Sequence, residues 1–268
     1  MTYQNFQNYT DTVAPLRGLA DMAAAALAQP FPGISRNPLQ RAVAAICELT
    51  ARAGLSHRRP AFGIDHAMVG NRSVAVREVE AHRTPFGTLL HFEKDMEAAQ
   101  PRVLLVAPMS GHFATLLRGT AQTLLSEHDV YITDWHNARD VGLPHGAFDF
   151  DGFIDHVMTF LEVMGPGAHV VAVCQPCVAV LAAVALMAED DHPATPRSMT
   201  LMAGPIDTRV NPTEVNRLAT GRPISWFERN LIDVVPPRYS GAWRRVYPGF
   251  TQLAAFMSMN LDRHAKAQ

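Results

Sequence analysis

The run His169-Val170-Val171-Ala172-Val173-Cys174-Gln175-Pro176-Cys177, continued by the wholly apolar stretch Val178–Met187, leaves this chain few architectures. Residues 170–173 read as a buried strand, and residues 176–188 read as a helix that starts almost at once. Pro176 suits a first helical turn, where its missing N–H would have no partner in any case. A strand that runs straight into an apolar helix is half of a β/α unit, and such units build parallel sheets covered on both faces. The helix is apolar all round, so a central, deeply buried position is expected for it.

The rest of the chain carries the same alternation. Ser73–Val79 alternates in the half-buried manner, and Thr88–Phe92 follows a Pro85-Phe86-Gly87 turn, so the pair reads as a hairpin. Val103–Ala107, Val130–Thr133 and Met199–Ala203 are further strands, with helices expected over about 113–126 and 150–164. Residues 1–60 read as a helical N-terminal extension, with apolar periodicity over Val13–Leu27 and Leu39–Leu55 broken at Pro30-Phe31-Pro32-Gly33. Residues 61–207 then form an α/β core. Residues 208–268, rich in Pro, Arg and aromatic groups, read as a partial helical cap. Trp226, Phe227, Trp243, Tyr247 and Phe250 there suit either a lid over an apolar substrate or a layer packed on the core.

Composition narrows the partners. Of 268 residues, 48% are hydrophobic and 18% charged, with a formal net charge of −2, which suits a globular enzyme and gives no footprint for nucleic acid. No apolar run reaches the roughly 18 residues of a membrane span, and the N-terminus lacks the features of a secretion signal. Three cysteines do not make a disulfide framework and fit a reducing cytoplasm.

Cys174 is the chemical centre of the sequence. A nucleophile on a tight strand-to-helix turn stands at the carboxyl edge of a sheet, with unpaired helix N–H groups behind it. That position favours the thiolate of a cysteine. An oxyanion hole would take one amide from Gln175 and a second from Met109 or Ser110, in the glycine-containing loop 107–112. His112, beside that loop, could touch substrate. Cys174 and Cys177 also have the spacing of a disulfide-exchange motif, but such motifs follow the first or second strand of small domains, and this one follows about five. No second Cys/His pair at ligand spacing points to a metal.

With these residues in view, the chain resembles the intracellular poly(3-hydroxybutyrate) depolymerases of the α/β-hydrolase superfamily. The resemblance rests on Pro108-Met109-Ser110-Gly111-His112 with Thr115–Thr120, on Thr133-Asp134-Trp135-His136-Asn137-Ala138-Arg139-Asp140, on Val173-Cys174-Gln175-Pro176, and on Met202–Asp207. It implies an α/β-hydrolase-like, mostly parallel sheet with helices on both faces. It also implies Cys174 as nucleophile, cleavage of polyester at the surface of storage granules in the cytoplasm, and no metal or organic cofactor. Trp135 falls in its most specific motif and joins His112 as an expected substrate contact. Cys177 stands where the family pattern has serine.

The family places its acid and histidine after the cap, on two further strand–helix units. The sequence ends before them, so little activity is expected of the chain as it stands. Asp207, His192, His264 and His136 are the residues that could be asked to substitute. Three rival functions remain open: a non-catalytic granule-binding protein, a thiol–disulfide oxidoreductase using Cys174 and Cys177, and a polymer synthase or acyltransferase with a cysteine elbow. Oligomeric state is not legible.

Overall fold

In the computed structural model, residues 2–28, 38–52, 59–96, 99–109 and 113–258 are described. The chain divides into two compact units, Met1–Arg58 and Arg59–Gln268. In the first, α1 (Tyr3–Ala28) and α2 (Pro38–Arg52) pack on each other. The less exposed positions of α1 are Tyr3, Phe6, Gln7, Thr10, Val13, Arg17, Ala20, Ala23, Ala24 and Leu27, and the row Phe6, Thr10, Val13, Arg17, Ala20, Ala24 and Leu27 among them alternates spacings of four and three. That is the period of a helix–helix seam.

The second unit is built on one seven-stranded sheet. Its strands are β1 (His66–Val69), β2 (Arg72–Arg83), β3 (Gly87–Lys94), β4 (Arg102–Val106), β5 (Asp129–Trp135), β6 (His169–Val173) and β7 (Ser198–Met202). Their spatial order is β1-β2-β3-β5-β4-β6-β7. The first pairings are antiparallel, and β5, β4, β6 and β7 run parallel to one another. Around the sheet lie α3 (Arg118–Leu124), α4 (Phe150–Met164) and α5 (Pro176–Glu189).

The nearly all-apolar strands divide their side chains between two cores, as the two-residue period requires. Leu104 and Val106 face Phe153, Val157 and Phe160 of α4 and Val180 and Ala183 of α5. Val103 and Leu105 face Phe62 and Ala121 of α3. The second unit is thus a mostly parallel sheet covered on both faces, the fold class expected from its sequence. The β2–β3 hairpin turns at Thr84–Gly87, where the Gly87 N–H donates to Thr84 Oγ1 at 3.0 Å.

Three expectations need correction. Strand β1 pairs with β2 and was not read from the sequence, because four residues are too few to establish a period. The helix expected from Phe113 opens as a 3-10 turn at Ala114–Leu117 before α3 begins. Helix α5 is not buried all round: Leu181 is 36% and Leu186 44% exposed. Its uniform apolarity concealed which side meets the sheet, and β7, beyond it, alternates between exposed and half-buried positions instead of being buried.

After β7 come α6 (Glu214–Gly221), α7 (Ile224–Asn230), a two-stranded ribbon of β8 (Asp233–Val234) with β9 (Arg245–Val246), and α8 (Gly249–Ser258). The ribbon is anchored by Arg244, which is almost fully buried. Its guanidinium donates to the carbonyls of Val141 (3.1 Å), Gly142 (2.8 Å) and Gly146 (2.6 Å) and lies over the Phe86 ring. Next to it, the Gly241 N–H donates to Arg139 O at 2.7 Å. A Cβ at Gly241 would stand 2.6 Å from Ala138 O, so only glycine lets the two backbones meet.

Candidate functional site

Strand β6 ends at Val173, and the next residue turns the chain sharply. Cys174 has φ +67°, in the left-handed region, where a residue with a Cβ costs roughly 1–2 kcal/mol. Gln175 is already helical, and α5 starts at Pro176. One strained residue therefore joins the parallel strand β6 to the helix and leaves the thiol exposed. Strain of this kind is held only where its surroundings enforce it. The Cys174 N–H donates to Met202 O at 2.8 Å, and its carbonyl accepts from the Cys177 N–H at 3.2 Å.

The residues after β7 pass under this turn. Ala203 is also left-handed, at φ +53°, and Gly204 lies against Cys177. The Cys177 thiol is fully buried and points to Ala172 O at 3.4 Å and Met202 O at 3.6 Å. Burial pushes its pKa up. It is a packing group at the helix start.

The loop after β4 approaches from the other side. The Met109 N–H donates to Gln175 Oε1 at 3.1 Å, so two of the residues expected to bind an oxyanion are in direct contact. The acceptor at present is a side chain, which the sequence reading did not anticipate. The Gln175 N–H has no hydrogen-bond partner among the described residues. The loop is held at its root, where the Ala107 N–H donates to Thr133 Oγ1 and the Trp135 indole N–H donates to Ala107 O, both at 2.9 Å. Trp135 also packs edge-on against Phe153 at 4.6 Å. Its visible contacts therefore hold the loop in place. Ser110 and His112, as well as His264, lie outside the described residues.

The other groups considered from sequence are engaged elsewhere. His136 donates from Nδ1 to Pro85 O at 2.9 Å, and its Nε2 meets Thr88 Oγ1 at 2.7 Å. His192 pairs with Glu162 at 3.2 Å and accepts from the Ala194 N–H. Asp207 is clasped by the Arg209 guanidinium, which holds its carboxyl below the usual range. Among the described residues no histidine or carboxylate is hydrogen-bonded to Cys174, and no three His, Cys, Asp or Glu side chains converge as a metal site. Chemically, the site offers an exposed thiol, the Gln175 amide, which has no partner among the described residues, and the Met109 amide, which is bound to the Gln175 side chain.

Comparison with known proteins bears on this geometry. Residues 203–268, which run from the segment beneath Cys174 through the Arg244 anchor, match the family model described as PHB de-polymerase C-terminus. Among solved structures, naproxen esterase (carboxylesterase NP) from Bacillus subtilis is 15% identical over 47% of this chain and 42% of its own, with a TM-score of 0.33. An arylesterase is 12% identical over 68% of this chain and 56% of its own, also with a TM-score of 0.33. The matched region thus spans about half the length of these two proteins. No curated protein matches the chain. Among the described residues no helix is long and apolar enough to cross a membrane.

Proposed function

We propose that this chain carries the nucleophile of a carboxylic-ester hydrolase, that its ester is poly(3-hydroxybutyrate)-type polyester, and that Cys174 forms the acyl-enzyme. The observation that carries the reading is the left-handed Cys174 between β6 and α5, with its thiol exposed and, among the described residues, no partner on the Gln175 amide beside it. The match of residues 203–268 to a PHB de-polymerase C-terminus supports the substrate class.

In this reading the Cys174 thiolate attacks the ester carbonyl carbon, and the carbonyl electron pair moves to oxygen. The Gln175 N–H and an amide of the 109–110 loop hold that oxyanion, and Met109 takes part once the Gln175 side chain swings away. Collapse expels the polymer's alkoxide, which takes up a proton, and leaves a thioester on Cys174. Water then attacks the thioester, freeing the 3-hydroxybutyryl unit and restoring the thiol. His112 is the proposed substrate contact next to the loop, and Trp135 acts by fixing Ala107. The proposed setting is the surface of storage granules in the cytoplasm.

The absence of a described histidine at Cys174 favours a second reading, a polymer-binding protein that does no chemistry. A dithiol role is disfavoured by the burial and raised pKa of Cys177. Intact-mass spectrometry after incubation with p-nitrophenyl butyrate separates the first two. An acyl adduct on the parent chain that is missing from Cys174→Ala is the expected result. Retention on amorphous polymer without any adduct would instead favour the binding protein.

A further inference from the structure

We propose that the helical hairpin of the first unit is a dimerisation module, and that its apolar face pairs with the same face of a second copy to form a four-helix bundle. α1 and α2 pack on each other, with residues 21–28 and 40–51 lining one groove, and a connection as short as residues 29–37 sets packed neighbouring helices antiparallel. Each helix carries a second periodic row besides the inner seam. On α1 it is Tyr9, Thr12, Leu16, Leu19 and Ala23, and on α2 it is Leu39, Ala42, Ile46 and Leu49. Both rows alternate spacings of three and four, the pattern that sets knobs into holes on another helix.

Geometry puts the two rows on one side of the hairpin. At about 100° per residue, the α1 row lies about 100° round from the α1 seam, and the α2 row about 125° round from its own. In an antiparallel pair these rotations point the same way. The resulting face holds no charge: Asp11, Arg17, Asp21, Arg41 and Glu48 all fall elsewhere around the helices.

Its six large side chains, Tyr9, Leu16, Leu19, Leu39, Ile46 and Leu49, are 56–69% exposed. Together they offer roughly 700 Å² per copy, close to the ~800 Å² per partner of a standard stable interface. A face this size is unusual on a free monomer. A two-fold axis through it would place each row beside a row of the partner, as an isologous bundle interface requires. A lipid or granule surface fits less well, because interfacial helices flank their apolar face with Lys and Arg, and this hairpin carries only Arg17, Arg41 and Arg52 among its described residues.

Sedimentation equilibrium of the full chain tests the proposal. The expected mass is twice the 29.4 kDa of one chain. Leu39→Glu with Ile46→Glu, and separately Leu16→Glu, should each give monomers that keep their helical circular dichroism, since these side chains are exposed within one hairpin. Arg41→Glu, off the face, should leave the dimer intact. A monomeric parent, an assembly larger than two copies, or a dimer that survives both face variants would overturn the proposal.

Discussion

Gly204 lies so close to Cys177 that a Cβ on residue 204 would stand 2.1 Å from Cys177 Cβ and 2.5 Å from its sulfur. The contact joins the segment after β7 to the first turn of α5, immediately below Cys174. No real pair of carbon atoms tolerates that spacing, so Gly204→Ala must push the segment away. Overpacking of this kind costs about 2 kcal/mol or more. The expected outcome is a lower urea midpoint together with altered alkylation of Cys174. Unchanged values of both would mean that the two segments separate freely.

Gln175 offers a test of the oxyanion reading. Gln175→Glu would place a carboxylate on the Met109 amide and a negative charge beside the place where an oxyanion must form. Charged acceptors hold an N–H about twice as strongly as neutral ones. Acylation of Cys174 by p-nitrophenyl butyrate should therefore slow at least about tenfold, given the 10²–10³ contributed by one oxyanion donor elsewhere. The fold should be unaffected, since the side chain is exposed. An equal burst rate in the variant would remove Met109 and Gln175 from the mechanism.

His156 on α4 predicts a dependence of stability on pH. Its ring lies among Phe86, Trp135, Phe148 and Phe160. Its Nδ1 donates to Gly152 O at 2.6 Å, and its Nε2 is buried with no hydrogen-bond partner among the described residues. Burial holds its pKa below 6.5, against the weaker opposing effect of the Gly152 bond. Folding therefore favours the neutral ring, and the unfolded chain binds the proton more readily. The stability in question is complete above about pH 6.5, the ordinary histidine value, and is lost as pH falls toward the lower folded value. Melting temperature should drop between pH 7 and 5, and His156→Phe should flatten that slope. A slope unchanged by the substitution would assign the acid sensitivity to other groups.

Arg244 binds three carbonyls of the loop after β5. Arg244→Ala removes the guanidinium from the Val141 and Gly146 carbonyls, while Gly142 O keeps the His145 N–H, at a cost of about 2 kcal/mol. Arg244→Lys should recover only part, because an ammonium cannot reproduce the planar fork. Limited proteolysis within residues 208–258 should accelerate in the order parent, lysine variant, alanine variant. Equal rates would show that the ribbon is held by other contacts.

The sequence by itself determined the alternation of strands and helices in the core, the β2–β3 hairpin and the strand-to-helix turn at Cys174. Each of these is written in local periodicity, and a short apolar run before a Pro-initiated helix has few other ways to fold. It also carried the two N-terminal helices, through their spacing of three and four. Tertiary structure alone decided the spatial order of the strands, the exposed side of α5 and the pairing of the Gln175 side chain with Met109. Those depend on which surfaces meet between segments far apart in the chain, 66 residues in the case of Met109 and Gln175, and no local period records that. The same reason hid Arg244, which looks like one more arginine in a basic stretch until three carbonyls from about 100 residues earlier in the chain close around it. Gly204 and Gly241 are glycines for a neighbour that only the fold brings close. The left-handed φ of Cys174 was likewise invisible as an angle, since the strain is imposed by β6, α5 and Met202 together.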